Sequence, residues 1–255
     1  MKAAHAHSFY IHQRGWLHRL PPECKLAAAL LFILAVVATP REAFWAFGVY
    51  ALLVLALSRA ARLSLGAFAK RLTLELPFLA FAFLMPFFGT GPQVQVLGIS
   101  VYSEGLWAGW NIVVKGTLGL GTSIVLAATT QVPEILVGME RLRVPRAFTA
   151  IGGFMVRYMD VVAADLHRMK VARQSRCYDP RWIWQAKAVA TGAASLFIRS
   201  YERGERVFLA MVSRGYAGAM PGASAPVALR SQWAACLALP CVGAVVALTA
   251  WWGLR

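Results

Sequence analysis

Residues Ser231–Leu254 form an unbroken uncharged run rich in Ala, Leu, Val and Trp. A run of that kind constrains the fold more than any other feature, because about 20 apolar residues in a helix match the hydrocarbon thickness of a bilayer. Backbone groups in that layer must be bonded within the protein, so helices and closed barrels are the structures that span it. Three further runs come close. Gly116–Pro133 is uncharged and extends back to Leu106 once Lys115 is admitted. Leu76–Ser103 carries no charge, with Gly89–Pro92 marking its exit. Leu26–Leu57 is apolar except for Arg41 and Glu42 beside Pro40, which divide it into two short spans around a tight turn. The pattern predicts an all-α polytopic membrane protein with five spanning helices, at 26–40, 43–58, 72–89, 106–130 and 231–252.

Charge gives an independent test. Only 15% of the 255 residues are charged, against about 25% in soluble domains. The 26 Lys and Arg outnumber the 11 Asp and Glu, for a net charge of +15. Such a surplus suits nucleic acid, but these basic residues flank apolar runs and form no soluble basic domain with stacking aromatics, so nucleic acid is set aside as a partner. Lys and Arg concentrate in cytoplasmic loops of membrane proteins. Residues 1–25, 59–71 and 131–230 together hold 23 of the 26, whereas the 41–42 turn has one and 90–105 none. The N-terminus is therefore expected in the cytoplasm and the C-terminus outside. The first 25 residues are polar and basic without an apolar core, so the run from Leu26 is read as a retained span. The four cysteines, Cys24, Cys177, Cys236 and Cys241, have no CxxC spacing and read as small apolar residues.

The chain then divides into an N-terminal segment with the first four spans (1–130), a basic insert (131–230) and a last span (231–255). Within the insert, Phe148, Ile151, Met155, Tyr158, Val162, Leu166 and Met169 recur at spacings of three and four, which marks one face of a long amphipathic helix starting at Pro145. A second helix is expected from about Trp184 to Val212. Their ends are alike. Arg168…Ala172…Ser175-Arg176-Cys177-Tyr178 aligns with Arg206…Ala210…Ser213-Arg214-Gly215-Tyr216 at an offset of 38, with Arg, Ala, Ser, Arg and Tyr identical. Each repeat offers a guanidinium, a rigid fork of donors for carboxylates and exposed carbonyls, beside small residues that permit close approach. Two equivalent sites suit a partner present in two similar copies.

The paired triplets Ser175-Arg176-Cys177 and Ser213-Arg214-Gly215, with Leu20-Pro21-Pro22…Lys25-Leu26 before the first span, resemble the transmembrane T component of energy-coupling factor (ECF) transporters, in particular its cobalt-type, CbiQ-like branch. The resemblance implies long cytoplasmic coupling helices whose Ala-Arg-Gly-like triplets dock into grooves on two ABC-type ATPase subunits, with Arg176 and Arg214 as the principal contacts. It also implies a separate substrate-binding membrane subunit and a bacterial inner-membrane location. The chain departs from the common triplet by Ser at the first position of both and Cys at the third position of the first. Because small residues replace small ones, docking is expected to survive.

Other signals lead elsewhere or nowhere. His5, His7, His12 and His18 fit no closed ligand set, and no resident metal or other cofactor is expected. No GxxxxGK[ST] loop is present, nor HExxH or GxSxG, so the chain is not expected to hydrolyse ATP or to be an enzyme. Glu75 lies four residues after Arg71, where a surface ion pair would account for it; Lys115, deeper in its run, is expected to pair with Glu75 or to face another subunit. A self-contained channel or secondary carrier would need a polar path at the midplane, for which Lys115 is the one candidate. A lipid-modifying enzyme would need clustered His, Asp or Cys, and His167 is the one histidine beyond the N-terminal tail.

Overall fold

The computed structural model describes residues 16–88, 92–96, 99–178, 186–216 and 228–253. His5, His7, His12 and Trp184 lie outside them. The chain separates into two compact units. The first contains α1 (Pro22–Ala38), α2 (Phe44–Ala60), α3 (Leu65–Leu72), α4 (Leu76–Phe88), α5 (Ser103–Thr129), α6 (Val132–Arg141) and α9 (Arg230–Trp252). The second contains α7 (Arg146–Ser175) and α8 (Ala186–Val212). The all-α expectation is met, with one addition. A hairpin of β1 (Gln93–Val96) and β2 (Ile99–Tyr102) joins α4 to α5, with Gln93 opposite Tyr102 and Val96 opposite Ile99.

Helix α1 begins four residues before the apolar run, because its two charged residues find partners inside the protein. Pro22 occupies the first helical position, where its missing N–H costs nothing. Lys25 Nζ donates to Thr129 O at 3.0 Å and to Thr130 Oγ1 at 3.3 Å, placing a cation on the carbonyl end of α5. At the other end of α1, Arg41 lies 3.7 Å from Glu104 and 5.8 Å above the Trp107 ring. Helices α1 and α5 are thus antiparallel. Trp251 Nε1 donates to Ala38 O at 2.9 Å, and Cys24 packs with Cys236, so α9 runs parallel to α1. The 39–43 turn, the hairpin and the end of α9 therefore share one side of the unit, as five alternating spans require.

Phe32, Val36, Tyr50, Val54, Ile124, Val125 and Ala128 form the centre of this unit. At its centre Tyr50 Oη bonds Thr39 Oγ1 at 2.9 Å and donates to Gly243 O at 3.0 Å. Pairing of this kind is what a low-dielectric interior demands. Helix α4 meets α5 through Gly105 and Gly109, a GxxxG pair. Pro86 deprives Ala82 O of its helical donor, and that carbonyl lies 2.7 Å from where a Cβ on Gly109 would stand. Elsewhere α4 is uncovered, with Phe78, Phe83 and Phe88 64%, 73% and 81% exposed, a surface suited to lipid.

By length and composition, four described segments suffice to cross a membrane: Gly66–Phe88, Ser103–Thr129, Arg146–Ser175 and Arg230–Trp252; Phe44–Ala60 is a shorter apolar helix. Helix α7 is the least apolar of the four, at a mean hydropathy of 1.3. Its second half carries Asp165, Arg168, Lys170 and Arg173, which reads as an amphipathic helix because a span would strand those charges in hydrocarbon. Glu75 is buried among the helices, not at the surface. It is 4% exposed and its Oε1 lies 2.9 Å from Thr117 Oγ1 of α5. Lys115 Nζ donates to Val37 O at 2.8 Å, at the carbonyl end of α1.

Candidate functional site

The repeated motifs occupy the C-terminal ends of α7 and α8, and the two ends are built alike. In the first, Arg176 N donates to Arg173 O (3.1 Å), Cys177 N to Gln174 O (2.9 Å) and Tyr178 N to Arg173 O (3.2 Å). In the second, Arg214 N donates to Met211 O (3.0 Å), Gly215 N to Val212 O (2.9 Å) and Tyr216 N to Met211 O (3.0 Å). Every bond of one set maps onto the other at the offset of 38. The bond from the tyrosine amide back over five residues closes a Schellman-type cap, which needs a left-handed residue just past the helix. Cys177 (φ 57°) and Gly215 (φ 83°) supply it.

Positive φ, not small size, is what the third triplet position demands. The first position has a defined part as well, because Ser175 Oγ donates to Val171 O at 2.9 Å and Ser213 Oγ to Ala210 O at 3.0 Å. Both hydroxyls are turned back onto their helices. Ser175, Arg176, Cys177, Ser213, Arg214 and Gly215 are all exposed.

The helices carrying these ends run in opposite directions. A Cβ on Gly192, early in α8, would stand 3.8 Å from Met169 and Arg173 late in α7, while Phe154 and Tyr158 share an apolar cavity of about 380 Å³ with Val207 and Met211. Between these regions Arg203 Nη2 donates to Asp165 Oδ2 at 2.7 Å and Arg168 Nη2 to Asp165 Oδ1 at 2.5 Å. Asp165 and Arg203 are themselves 38 apart. The contact of Gly192 with Met169 and Arg173 becomes, on shifting by 38, one between Phe154 and the pair Val207 and Met211, which line one cavity. The pair is therefore two-fold in pattern about Asp165 and Arg203. Hydrogen bonds from Arg203 and then Arg168 hold the Asp165 carboxyl below its ordinary range, against the opposing effect of burial. Each arginine of the triplets lies 11 residues beyond this crossing, so at 1.5 Å per residue the two stand up to about 33 Å apart.

The sequence pattern of the CbiQ family, described as cobalt transport protein, matches residues 13–223. The chain belongs to the CbiQ family. It is similar to the energy-coupling factor transporter transmembrane protein EcfT of Bacillus selenitireducens, 24% identical over 82% of both chains. To EcfT of Streptococcus thermophilus it is 27% identical, over 82% of this chain and 84% of that one. A Methanocaldococcus jannaschii protein named only as uncharacterized is 32% identical over 142 residues, about half of either chain (54% and 52%). This CbiQ-family chain is thus a multi-pass T component of an ECF-type transporter, a membrane protein that works in a complex with other subunits.

Sequence reasoning found both triplets but missed two features of the CbiQ-family hairpin. Gly215 reads from sequence as a residue that closes a helix, but Cys177 in the same left-handed part does not. The Asp165–Arg203 pair lies in the same register as the repeat, three residues before the aligned Arg168 and Arg206. Among the described residues no group of three or more His, Cys, Asp or Glu comes together as a metal site.

Proposed function

We propose that this T component is the energy-transducing scaffold of an ATP-driven importer, docked by two ABC-type ATPase subunits at the ends of α7 and α8, with Arg176 and Arg214 as the contacts. The carrying observation is that the backbone bonds capping the two helix ends match one for one, on a hairpin that is two-fold in pattern. Two copies of one partner surface then meet the same arrangement twice. Each guanidinium offers forked donors suited to a carboxylate or to helix-end carbonyls of that partner. Motion of the ATPases is received at the two ends and passed through α7 and α8 to the spans, where a separate substrate-binding membrane subunit is reoriented. The family's description as cobalt transport protein supports cobalt as the cargo, ahead of nickel or a vitamin. The charge bias of the loops supports a cytoplasmic N-terminus.

The test is co-purification from detergent-solubilised membranes with candidate ATPase subunits, comparing wild type with Arg176→Glu, Arg214→Glu. Retention by the wild type and loss by the charge-reversed chain, at equal membrane insertion, is the expected result. Equal retention by both would reduce the repeat to helix-end chemistry and bring the self-contained carrier forward.

A further inference from the structure

The chain leaves the transmembrane unit for the α7–α8 hairpin after Leu142 and is part of it again at Ala228. One buried carboxylate holds the chain on both sides of that excursion. Glu23, in the first turn of α1 and 4% exposed, accepts from Arg141 Nη1 through Oε2 at 2.7 Å. Its other oxygen, Oε1, accepts from the backbone N–H of Ala228 at 3.1 Å. Arg141 is the last residue of α6, and Ala228 lies two residues before α9. Gly138 of α6 fits tightly against the same turn, since a Cβ there would stand 3.0 Å from Glu23 N and from Pro22 C. Arg141 before the excursion and Ala228 after it are therefore both fixed to Glu23 at the start of α1, and Lys25, two residues on, is fixed to the end of α5.

We propose that Glu23 is a positioning residue for energy transfer: by holding the chain just before and just after the excursion at one point of α1, it delivers force arriving along either connection to the same place in the transmembrane unit. This rests on the coupling role proposed above. The requirement is for two acceptor oxygens with a negative charge. Glutamine has the same shape but one acceptor, and its NH2 faces either Arg141 or the Ala228 N–H, donor against donor. Glu23→Gln therefore keeps the volume and one of the two bonds.

Two measurements test this. In the full chain in detergent, hydrogen exchange is followed at 138–146 and 225–230. Glu23→Gln should raise exchange at least tenfold in one or both segments, whereas Arg141→Gln should raise it in the first alone. Unchanged exchange in Glu23→Gln overturns the grip, whether or not ATPases bind. In the assembled complex in proteoliposomes, Co2+ uptake is measured against ATP hydrolysis. Glu23→Gln should keep ATPase subunits bound and hydrolysis within about twofold, yet lose at least tenfold in Co2+ moved per ATP, and Arg141→Lys should restore more of that ratio than Arg141→Gln does. A ratio within twofold of wild type, or uptake falling only in step with the amount of complex, overturns the positioning role. A wild-type chain that binds no ATPase refutes the coupling reading instead, and exchange alone then decides the grip.

Discussion

Exchanging the residues at the two left-handed positions should move the stability of the two helix ends in opposite directions. At Cys177, φ is 57°, and at Gly215 it is 83°. An L-residue with a Cβ held there loses about 1–2 kcal/mol, while glycine gives back about 0.5–1 kcal/mol through its freer unfolded chain. Cys177→Gly should thus stabilise its cap by roughly 0.5–1 kcal/mol, and Gly215→Ala should weaken its cap by about as much. A Cβ on Gly215 meets nothing within 4 Å, so the backbone alone responds. Tyr178 and Tyr216 report on it, since their amides close the two caps. With tenfold corresponding to 1.36 kcal/mol, exchange at Tyr178 should slow about two- to fivefold in Cys177→Gly. At Tyr216 it should quicken by a similar factor in Gly215→Ala. Nothing in the structure explains why cysteine stands at 177. The reasoning fails if both variants shift in one direction, or if Gly215→Ala leaves Tyr216 as protected as before.

Three further outcomes follow from the geometry. Gly109→Ala would place a Cβ 2.7 Å from Ala82 O and should cost about 1–3 kcal/mol; Gly119→Ala, with nothing within 4 Å, should be neutral or gain up to about 1 kcal/mol. Thermal unfolding in detergent compares them, and equal melting would discount the close approach of α4 and α5. Tyr50→Phe removes the hydroxyl joining Thr39 and Gly243 and should cost about 1 kcal/mol, read as a lower midpoint in the same assay. The Asp165 carboxyl titrates below its ordinary 3.8 in the folded hairpin, so its ion pairs stabilise α7 against α8 above that value and are lost as pH falls through the lower, folded one. Distances between spin labels on the two helices should hold from pH 8 to about 5 and spread only below about 4, whereas Asp165→Asn should spread them at every pH.

The spans were legible because hydropathy is a one-dimensional property that a bilayer reads directly. Their ends were less so. The predicted start of the first span at 26 misses Pro22–Lys25, since a count of charges cannot know that Glu23 and Lys25 have Arg141 and Thr129 waiting for them. The same blindness placed Glu75 at the surface, although Thr117 of α5, 42 residues away, takes it inside. The hairpin at 93–102 was missed because four-residue strands carry too little pattern to separate from a loop.

The candidate site lies between these cases. The offset of 38 exposed the repeat, but letters alone suggested that smallness united Cys177 with Gly215. The backbone gives a different reason: both residues sit at the left-handed step that turns the chain back on the last helical carbonyls. The arginine before that step is exposed, while the serine hydroxyl before it is spent on its own helix. A family triplet with glycine in third place is then a rule about dihedral angles, and a chain that breaks it with cysteine keeps the geometry at a cost in local stability. The same two-fold pattern brings Asp165 to Arg203, where equivalent positions of the repeat face each other. The same charged residue at both positions would place like charges together at the crossing, so an ion pair there requires the repeat to diverge at its centre while staying alike at its ends.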